Sequence, residues 1–386
     1  MIIHVFNSSL VSGPERLVLP ALAGKPGRFM IVNLREERLA RLRESDPLRD
    51  LSLSLGLPYV AVPVKSRWDG DAVRLLRELF EREAPELVHA HVDKASLYAL
   101  LGARKMRAAP PVVSTHHGVR VVHDLKTRLY EIFYRYVLLR FFDRALCVCT
   151  EDYETVRGSG VAKARLHLNG IDGHRVDLRL RPEEREKIRA SWLPLEAAPG
   201  DLFLFGVVAR LSPEKDHDRV LRTLASLEKG GSPVDWRCLI FGSGKLLEPL
   251  REETRRLGLE RRVVWMGYRE NVGRELAGLD LLLSLSKAEG LPINLIEAGW
   301  AGTPVMGTLV QGVKDLIPDA GCGTGVPPGE PVEESARRLA ALLSEPGRPT
   351  LAAQGRKLQE RVSSEFSRAR WMERLREIYA ELGVPV

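Results

Sequence analysis

Two acidic residues eight positions apart, Glu289 and Glu297, flank the segment of the chain with the clearest chemical potential. The segment follows a buried-looking strand pattern and opens a helix, so Glu289 is predicted in the turn and Glu297 one to two turns into the helix. A helix N-terminus offers free N–H groups and a partial positive charge, which suit phosphate. The two carboxylates can accept hydrogen bonds from sugar hydroxyls, such as the ribose and the hexose of a nucleotide-sugar. A plain helix start with one solvated glutamate is the alternative.

Two cations, Arg210 and Lys215, lie between another strand pattern and the helix that starts near Asp216. Both are predicted to reach an anion at the carboxyl end of that strand. Arginine can bind phosphate with two parallel hydrogen bonds, and lysine supplies a mobile point charge. Two solvated loop cations would give the same pattern.

Glycine-rich and polar turns follow the next two strand patterns. Gly242 and Gly244 allow the backbone to come close to a helix or a ligand, although a Gly-x-Gly turn alone is weak evidence. Tyr268 and Arg269 follow the next strand, where they could lie beside a nucleobase or form a plain surface turn.

In the N-terminal half, Gly13 follows the first strand pattern and would let the backbone approach a diphosphate. His117 ends a strand just before a glycine, so the sequence favours a functional histidine that contacts a polar group near neutral pH. His89 and His91 alternate on one strand, where they are either core residues or residues at the rim of a site.

These residues must be positioned by two successive α/β domains. Strand patterns alternate with helical patterns, six before residue 150 and five after residue 200, which predicts parallel sheets with helices on both faces. Ligands of such sheets bind outside the carboxyl ends of the strands. The domain boundary is expected between Asn169 and Asp201, where the chain is charged and contains Pro and Gly.

Length and charge narrow the class of protein. The chain has 386 residues, which is more than one compact hydrophobic core usually holds, so two domains are expected. No apolar run has the roughly 20 residues that span a bilayer, no basic leader precedes the first apolar stretch, and the four cysteines have no metal-site or redox spacing. We therefore expect a cytoplasmic protein, including the inner face of the plasma membrane as a location.

The net charge of +7 comes entirely from the N-terminal part, because residues 1–175 contain 27 Lys+Arg and 20 Asp+Glu and the remainder contains 31 of each. Residues 123–146 place Arg128, Arg135, Arg140 and Arg144 among aromatic and aliphatic residues. Either an interfacial helix in contact with an anionic membrane or an ordinary helix with solvated arginines fits this pattern.

Taken together, these segments resemble the retaining glycosyltransferases of family 4, which have the GT-B fold. The resemblance covers nearly the whole chain and rests on EGLPINLIEAGWAGTPV, ARLSPEKD, NGID, HAHVDKA and STHHG, in the family's order. It implies two Rossmann-like domains that face each other across a cleft. Residues 1–175 would be the acceptor-side domain, 176–365 the nucleotide-sugar domain, and 366–386 a helix that returns to the first domain.

The resemblance also implies roles for single residues. Arg210 and Lys215 would bind the donor diphosphate and stabilise the leaving group. Glu297 would bind the ribose and Glu289 the transferred sugar. His117 would contact the donor sugar near the reacting carbon, so His117, Arg210, Lys215 and Glu289 are the predicted catalytic residues. The remaining predicted donor-binding residues are Gly13, Gly242, Gly244, Tyr268, Arg269, Gly290, Leu291 and Pro292.

Family members are thought to retain the anomeric configuration by front-face attack, with the leaving diphosphate helping to take the acceptor proton. The protein then contributes positioning and electrostatic stabilisation. No metal and no other cofactor is implied, since two cations and a helix terminus supply positive charge. The chain departs from the family at Pro292 and Pro14, each of which removes one N–H group from the phosphate cradle.

The resulting interpretation is a retaining hexosyltransferase that uses a UDP- or GDP-sugar and a glycan or lipid-linked acceptor, as in bacterial polysaccharide or lipopolysaccharide biosynthesis. A nucleotide-sugar 2-epimerase of the same fold and a non-enzymatic protein that binds an anionic polymer are the alternatives. Nucleic acid is not expected as a partner, because the basic region lacks a known binding module.

Overall fold

The computed structural model describes residues 1–386 except 26, 38–44, 67, 118–131, 135–136, 174–181 and 193–201. The chain forms two compact units. Met1–Asn169 together with Arg368–Val386 form unit 1, and Gly170–Ser367 form unit 2.

Unit 1 is built on a parallel sheet of seven strands in the order β3-β2-β1-β4-β5-β6-β7. Both faces of the central strands are covered, so strands such as β1 and β4 are buried at every position. The strands are β1 (Ile2–Phe6), β2 (Phe29–Glu36), β3 (Tyr59–Val64), β4 (Leu87–His91), β5 (Val112–His116), β6 (Arg144–Cys147) and β7 (Ala164–Leu166).

Side chains that cap free backbone N–H groups help to fix where helices of unit 1 begin. Asp69, for example, accepts hydrogen bonds from the N–H groups of Asp71 and Ala72, and the helix that follows buries Leu76 and Phe80 in the core. The helices are α1 (Gly13–Leu22), α2 (Pro47–Ser54), α3 (Gly70–Glu83), α4 (Asp93–Arg104), α5 (Thr150–Gly158) and, from the other end of the chain, α14 (Arg368–Ala380).

Unit 2 is built on a parallel sheet of six strands in the order β10-β9-β8-β11-β12-β13. The strands are β8 (Phe203–Val208), β9 (Trp236–Phe241), β10 (Val263–Gly267), β11 (Leu281–Ser284), β12 (Val305–Thr308) and β13 (Thr324–Val326). The helices are α6 (Pro182–Ala190), α7 (His217–Lys229), α8 (Leu247–Arg256), α9 (Gly273–Gly278), α10 (Ile293–Trp300), α11 (Gln311–Leu316), α12 (Val332–Leu343) and α13 (Arg348–Glu365).

Each sheet has one place where the strand order reverses direction. It lies between β1 and β4 in unit 1 and between β8 and β11 in unit 2. The loops that leave these two strands diverge to opposite sides, which opens a crevice at the carboxyl edge of the sheet. The prediction of two parallel α/β sheets is confirmed, and the strand patterns missed only the three-residue edge strands β7 and β13 among the described strands.

A cavity of about 550 Å³ in unit 2 lies at the amino edge of the sheet, where Phe203 begins β8. Its two buried or half-buried arginines, Arg185 and Arg189, bind the carboxylate of Asp280 at 2.7 and 2.9 Å. The charges of Arg185 and Arg189 are already paired with Asp280, so these two arginines have a structural role. The cavity also lies at the opposite edge of the sheet from the predicted site. Among the described residues, no helix combines the length and apolar composition that crossing a membrane requires.

Candidate functional site

The predicted site residues of unit 2 all lie on loops that leave neighbouring strands. Arg210 and Lys215 follow β8, Gly242 and Gly244 follow β9, and Tyr268 and Arg269 follow β10. The segment from Glu289 to Pro292 follows β11. Since β10, β9, β8 and β11 are parallel neighbours, the structure brings all four loops to the carboxyl edge of one sheet.

Lys215 and Glu289 meet directly in the crevice between β8 and β11. The Lys215 Nζ lies 2.7 Å from each carboxylate oxygen of Glu289, and the two side chains are 16% and 6% exposed. The Ser286 hydroxyl donates to Glu289 Oε1 at 2.7 Å, and the Glu289 backbone N–H donates to the Gln311 side chain at 3.0 Å. Charge-assisted bonds in a nearly buried site hold both groups in one geometry.

Arg210 has a different environment from Lys215. Its side chain is 74% exposed and pairs with Glu214 at 3.2 Å. Burial raises the pKa of Glu214, but the Ser212 hydroxyl and the charges of Arg210 and Lys215 outweigh that effect and lower it. Glu214 is therefore an anion at neutral pH that holds Arg210 by one exposed, weak ion pair.

The glycine turn after β9 packs against the loop that contains Arg210. A Cβ atom on Gly242 would lie 1.9 Å from the carbonyl oxygen of Ala209, and one on Gly244 would lie 2.3 Å from that of Leu211. The Leu211 N–H donates to the Ser243 carbonyl at 3.0 Å. Glycine is needed here for backbone packing between two loops of the crevice, whether or not these residues also contact a ligand.

The start of α10 is fixed to its surroundings from both sides. Pro292 caps the helix, and the Asn294 side chain donates to the Val208 carbonyl at the end of β8 at 2.8 Å. The Gly290 carbonyl accepts from the Gly312 N–H at 2.9 Å. Leu291 and Pro292 are buried, so any ligand contact here comes from the backbone of this turn rather than from their side chains.

Glu297 lies on α10 and is half-buried, with an interaction partner of its own. Tyr268 and Arg269, by contrast, are exposed after the end of β10. Lys215 and Glu289 are in direct contact with each other. The structure thus unites Lys215 and Glu289 and leaves the other candidates around them on the same sheet edge.

Gly13 is the first residue of α1 and follows β1 in unit 1. The helix start is organised by Glu15, which is 4% exposed and accepts from the Ser12 N–H at 2.8 Å and the Ser12 hydroxyl at 2.7 Å. The Ser8 hydroxyl donates to the same carboxylate. The sequence interpretation had no role for Glu15, although a serine three residues before a glutamate is a capping signal.

His117 directly follows the last residue of β5 and is half-buried. Its Nε2 is 3.4 Å from His91 Nδ1. Burial, aided by the neighbouring His116, lowers the pKa of His117 to about 3, so the ring is neutral at physiological pH. His89 and His91, which the sequence left as core or rim residues, are fully buried in β4.

Sequence reasoning missed the residues that support Glu289, namely Ser286 and Gln311. Ser286 was accessible as a hydroxyl three residues before the glutamate. Gln311 gives no such signal, because it lies 22 positions away and adopts a positive φ of 22° that its type does not favour.

The basic aromatic segment falls partly outside the described residues, which exclude Arg128 and Arg135. Arg144 binds Glu381 at 2.8 Å, and Arg140 donates to the Ser159 carbonyl at 2.7 Å. Both described arginines of this segment are therefore engaged within unit 1.

Comparisons with known proteins agree with this fold. The family model described as Glycosyl transferases group 1 matches residues 189–361, and the one described as Glycosyltransferase Family 4 matches residues 35–175. EpsF of Bacillus subtilis is 28% identical over 307 residues, which are 76% of this chain and 77% of EpsF. The Escherichia coli UDP-Gal:alpha-D-GlcNAc-diphosphoundecaprenol alpha-1,3-galactosyltransferase is 24% identical over 324 residues, 82% of this chain and 81% of the enzyme.

Among solved structures, Anabaena HepE in complex with UDP and glucose superimposes with a TM-score of 0.83 at 20% identity, covering 99% of this chain and all of HepE. Two parallel-sheet units with these matches define a glycosyltransferase of the GT-B class. Because the two family models together match most of the chain, it belongs to the family 4-like glycosyltransferases.

Proposed function

We propose that the protein is a retaining hexosyltransferase that moves a sugar from a UDP- or GDP-sugar to a glycan or lipid-linked acceptor. The reaction would belong to bacterial polysaccharide or lipopolysaccharide assembly. The contact between Lys215 and Glu289 in the crevice between β8 and β11 carries this proposal. An ammonium group in that position is suited to a diphosphate, and a fixed carboxylate beside it is suited to sugar hydroxyls.

The remaining roles in the proposal are supported by exposure and position and by the family resemblance. Arg210 is exposed and held by one weak ion pair, so it can turn toward the diphosphate with little loss of stability. The backbone of Gly290 and Leu291 and the start of α10 add N–H groups and a partial positive charge. Glu297 binds the ribose, and Gly242, Gly244, Tyr268 and Arg269 line the nucleotide side. The family resemblance implies in addition a backbone contact of Gly13 with the diphosphate and a contact of His117 with the donor sugar.

Two observations on relatives favour a UDP-sugar and a lipid-linked acceptor. The name of the Escherichia coli relative specifies UDP-Gal and a diphosphoundecaprenol acceptor. HepE is described with UDP and with UDP-glucose. Positive charge for the leaving diphosphate comes from Arg210, Lys215 and the helix start, so we expect activity to persist in EDTA.

The donor is identified by a thermal-shift screen of the full chain against UDP-, GDP- and ADP-sugars. A ligand at about 100 times its dissociation constant adds roughly 2.7 kcal/mol of stability. Lys215→Met should weaken binding of both UDP and the UDP-sugar, whereas Glu289→Gln should weaken only the UDP-sugar. Lys229→Met is the matched control, because Lys229 is an exposed lysine at the far end of α7. Full donor affinity in both site variants would remove the site assignment.

The reaction is identified by its products. The enzyme is incubated with the donor, with and without a polyprenyl-diphosphate-linked sugar as acceptor, and nucleoside diphosphate should be released quickly only when the acceptor is present. Proton NMR of the product should show the same anomeric configuration as in the donor. An isomerised nucleotide-sugar formed without acceptor would instead indicate an epimerase, and an inverted product would contradict retention.

Contact with an anionic membrane, which the basic aromatic segment 123–146 suggests, has its own test. Replacing Arg128, Arg135, Arg140 and Arg144 with glutamine should abolish sedimentation with anionic vesicles, while neutral vesicles bind neither protein. Because Arg144 and Arg140 make contacts within unit 1, the pair Arg128→Gln and Arg135→Gln is the milder variant. Unchanged binding of both variants would refute the contact.

A further inference from the structure

A group of buried polar rings lies in the core of unit 1, next to His117. His4 on β1 is paired in register with His89 on β4, and His91 follows two residues later on the same strand. All three histidines are at most 1% exposed. Tyr379 of α14 is fully buried against them, although it lies 290 positions from His89.

These side chains form one continuous chain of polar contacts, which we call the histidine relay. The links are Thr115 Oγ1 to His89 Nε2 at 2.6 Å, His89 Nδ1 to Tyr379 OH at 2.6 Å, Tyr379 OH to His4 Nε2 at 3.4 Å, His4 Nδ1 to His91 Nε2 at 3.0 Å and His91 Nδ1 to His117 Nε2 at 3.4 Å. His91 also stacks on Phe6, with ring centroids 4.4 Å apart, which fixes its plane.

The rings of the relay are neutral at physiological pH. Burial lowers the pKa of His4 to about 3, and burial together with the neighbouring histidines lowers the pKa values of His89 and His91 well below the usual 6.5. A neutral imidazole has one N–H donor and one acceptor nitrogen. Each link of the relay must therefore pair one donor with one acceptor. Because the buried hydroxyl proton of Tyr379 also needs an acceptor, the direction of one link sets the direction of all the others.

The Thr115 hydroxyl decides that direction. Among the described residues, its Oγ1 has His89 as its hydrogen-bond partner, and a buried hydroxyl proton without an acceptor is costly. The hydroxyl therefore donates to His89 Nε2. His89 Nδ1–H then donates to Tyr379, whose hydroxyl donates to His4 Nε2, and His4 Nδ1–H donates to His91 Nε2. The last link is His91 Nδ1–H donating to His117 Nε2.

We propose that Thr115 and Tyr379 are positioning residues that, through the histidine relay, hold His117 in the Nδ1–H tautomer. His117 then offers an N–H donor at its half-buried edge and not a lone pair. Such a donor suits an oxygen atom of a ligand, such as a sugar hydroxyl or a phosphate oxygen, and it cannot accept a proton at that nitrogen. The assignment of the tautomer does not depend on the proposed function. The proposal that this N–H group donates to the donor sugar does rest on the proposed function.

A metal site is the competing explanation for the same histidines. One ring nitrogen each of His4, His89 and His91 lie within 4.8 Å of one another, a spacing that a metal ion could bridge. However, all six ring nitrogens of these residues already have partners within the relay. A metal ion would have to break several of these links, so the relay accounts for the contacts better.

The tautomer can be read directly from long-range proton–nitrogen NMR correlations of the full chain labelled with 15N-histidine. His117→Gln assigns the signal of His117 by its loss. In the wild type and in Thr115→Ser, which keeps the hydroxyl, we expect His117 as the pure Nδ1–H tautomer. In Thr115→Val, which is isosteric but lacks the hydroxyl, and in Tyr379→Phe, we expect a mixture with the Nε2–H form.

The catalytic readout uses the same variants. We expect kcat/KM to fall about tenfold in Thr115→Val and Tyr379→Phe and to recover in Thr115→Ser, because the loss corresponds to one neutral hydrogen bond. An Nε2–H tautomer in the wild type, a tautomer unchanged in Thr115→Val, or a stoichiometric metal ion bound by these histidines would overturn the relay. A shifted tautomer with unchanged kcat/KM would overturn its importance for catalysis and leave the donor assignment of unit 2 untouched.

Discussion

The two units place different chemistry at the same topological position. In unit 1, the strands β1 and β4 that border the crevice contribute neutral, buried histidines that bond to one another and to Tyr379. In unit 2, the corresponding strands β8 and β11 lead into a charged pair, Lys215 and Glu289. The strand order provides a crevice in both sheets, and the side chains decide whether it presents neutral hydrogen-bonding groups or fixed charges.

The largest effect that this comparison predicts is a selective loss of stability of unit 1 in mild acid. Among the described residues, five histidines with lowered pKa belong to unit 1, and only His217 belongs to unit 2. A histidine whose folded pKa lies below its unfolded value of 6.5 contributes its full stability above pH 6.5. That contribution falls by about 1.4 kcal/mol per pH unit as the pH drops from 6.5 toward the folded pKa, which is about 3 for His4.

Hydrogen exchange measured by mass spectrometry at pH 7.5 and pH 5.5, corrected for the intrinsic exchange rate, reports the two units separately. We expect protection in β1, β4 and β5 to fall much more than protection in β8, β9 and β11. Equal losses in both sheets, or an earlier loss in unit 2, would contradict the view that the two crevices differ in this way.

The second prediction concerns the charged crevice. Lys215→Met should lower kcat/KM by about 10²–10³-fold, because one preorganised electrostatic contact to the leaving group contributes about 3–4 kcal/mol. It should also destabilise the chain, since the nearly buried Glu289 loses its counter-charge. Steady-state kinetics and urea unfolding check both effects. Similar losses in Lys229→Met would mean that general charge, and not this site, is responsible.

The third prediction tests whether loop packing maintains the crevice of unit 2. Gly242→Ala places a Cβ atom 1.9 Å from the Ala209 carbonyl oxygen, so the loop that contains Arg210 must shift. We expect a loss of about 1–3 kcal/mol in the free energy of unfolding and weaker UDP binding. Gly70→Ala is the control, because its Cβ would meet nothing within 4 Å. Unfolding and calorimetric data that fail to separate the two variants would argue against tight loop packing.

Local sequence patterns predicted the strands better than they predicted contacts between residues that are far apart in the chain. Long strands were visible in their apolar patterns, whereas β7 and β13 are three-residue edge strands whose formation depends on pairing with β6 and β12. Lys215 and Glu289 could be assigned to one site from their loops. Their direct contact, across 74 positions, and the contact of Tyr379 with His89, across 290 positions, have no local signal.

The smallest effect is expected at Arg210, whose side chain is 74% exposed, whereas that of Lys215 is 16% exposed. Because its pair with Glu214 is exposed, Arg210→Ala should change the free energy of unfolding by less than about 0.5 kcal/mol. If the side chain binds the diphosphate, UDP affinity should nevertheless fall about tenfold, close to the lower end of a hydrogen bond to a charged group. Arg255→Ala removes a comparable exposed pair on α8 and should change neither quantity. Calorimetric titration with UDP therefore separates a ligand-binding arginine from a solvated one: equal affinities of the two variants would leave Lys215 as the cation that defines the crevice of unit 2.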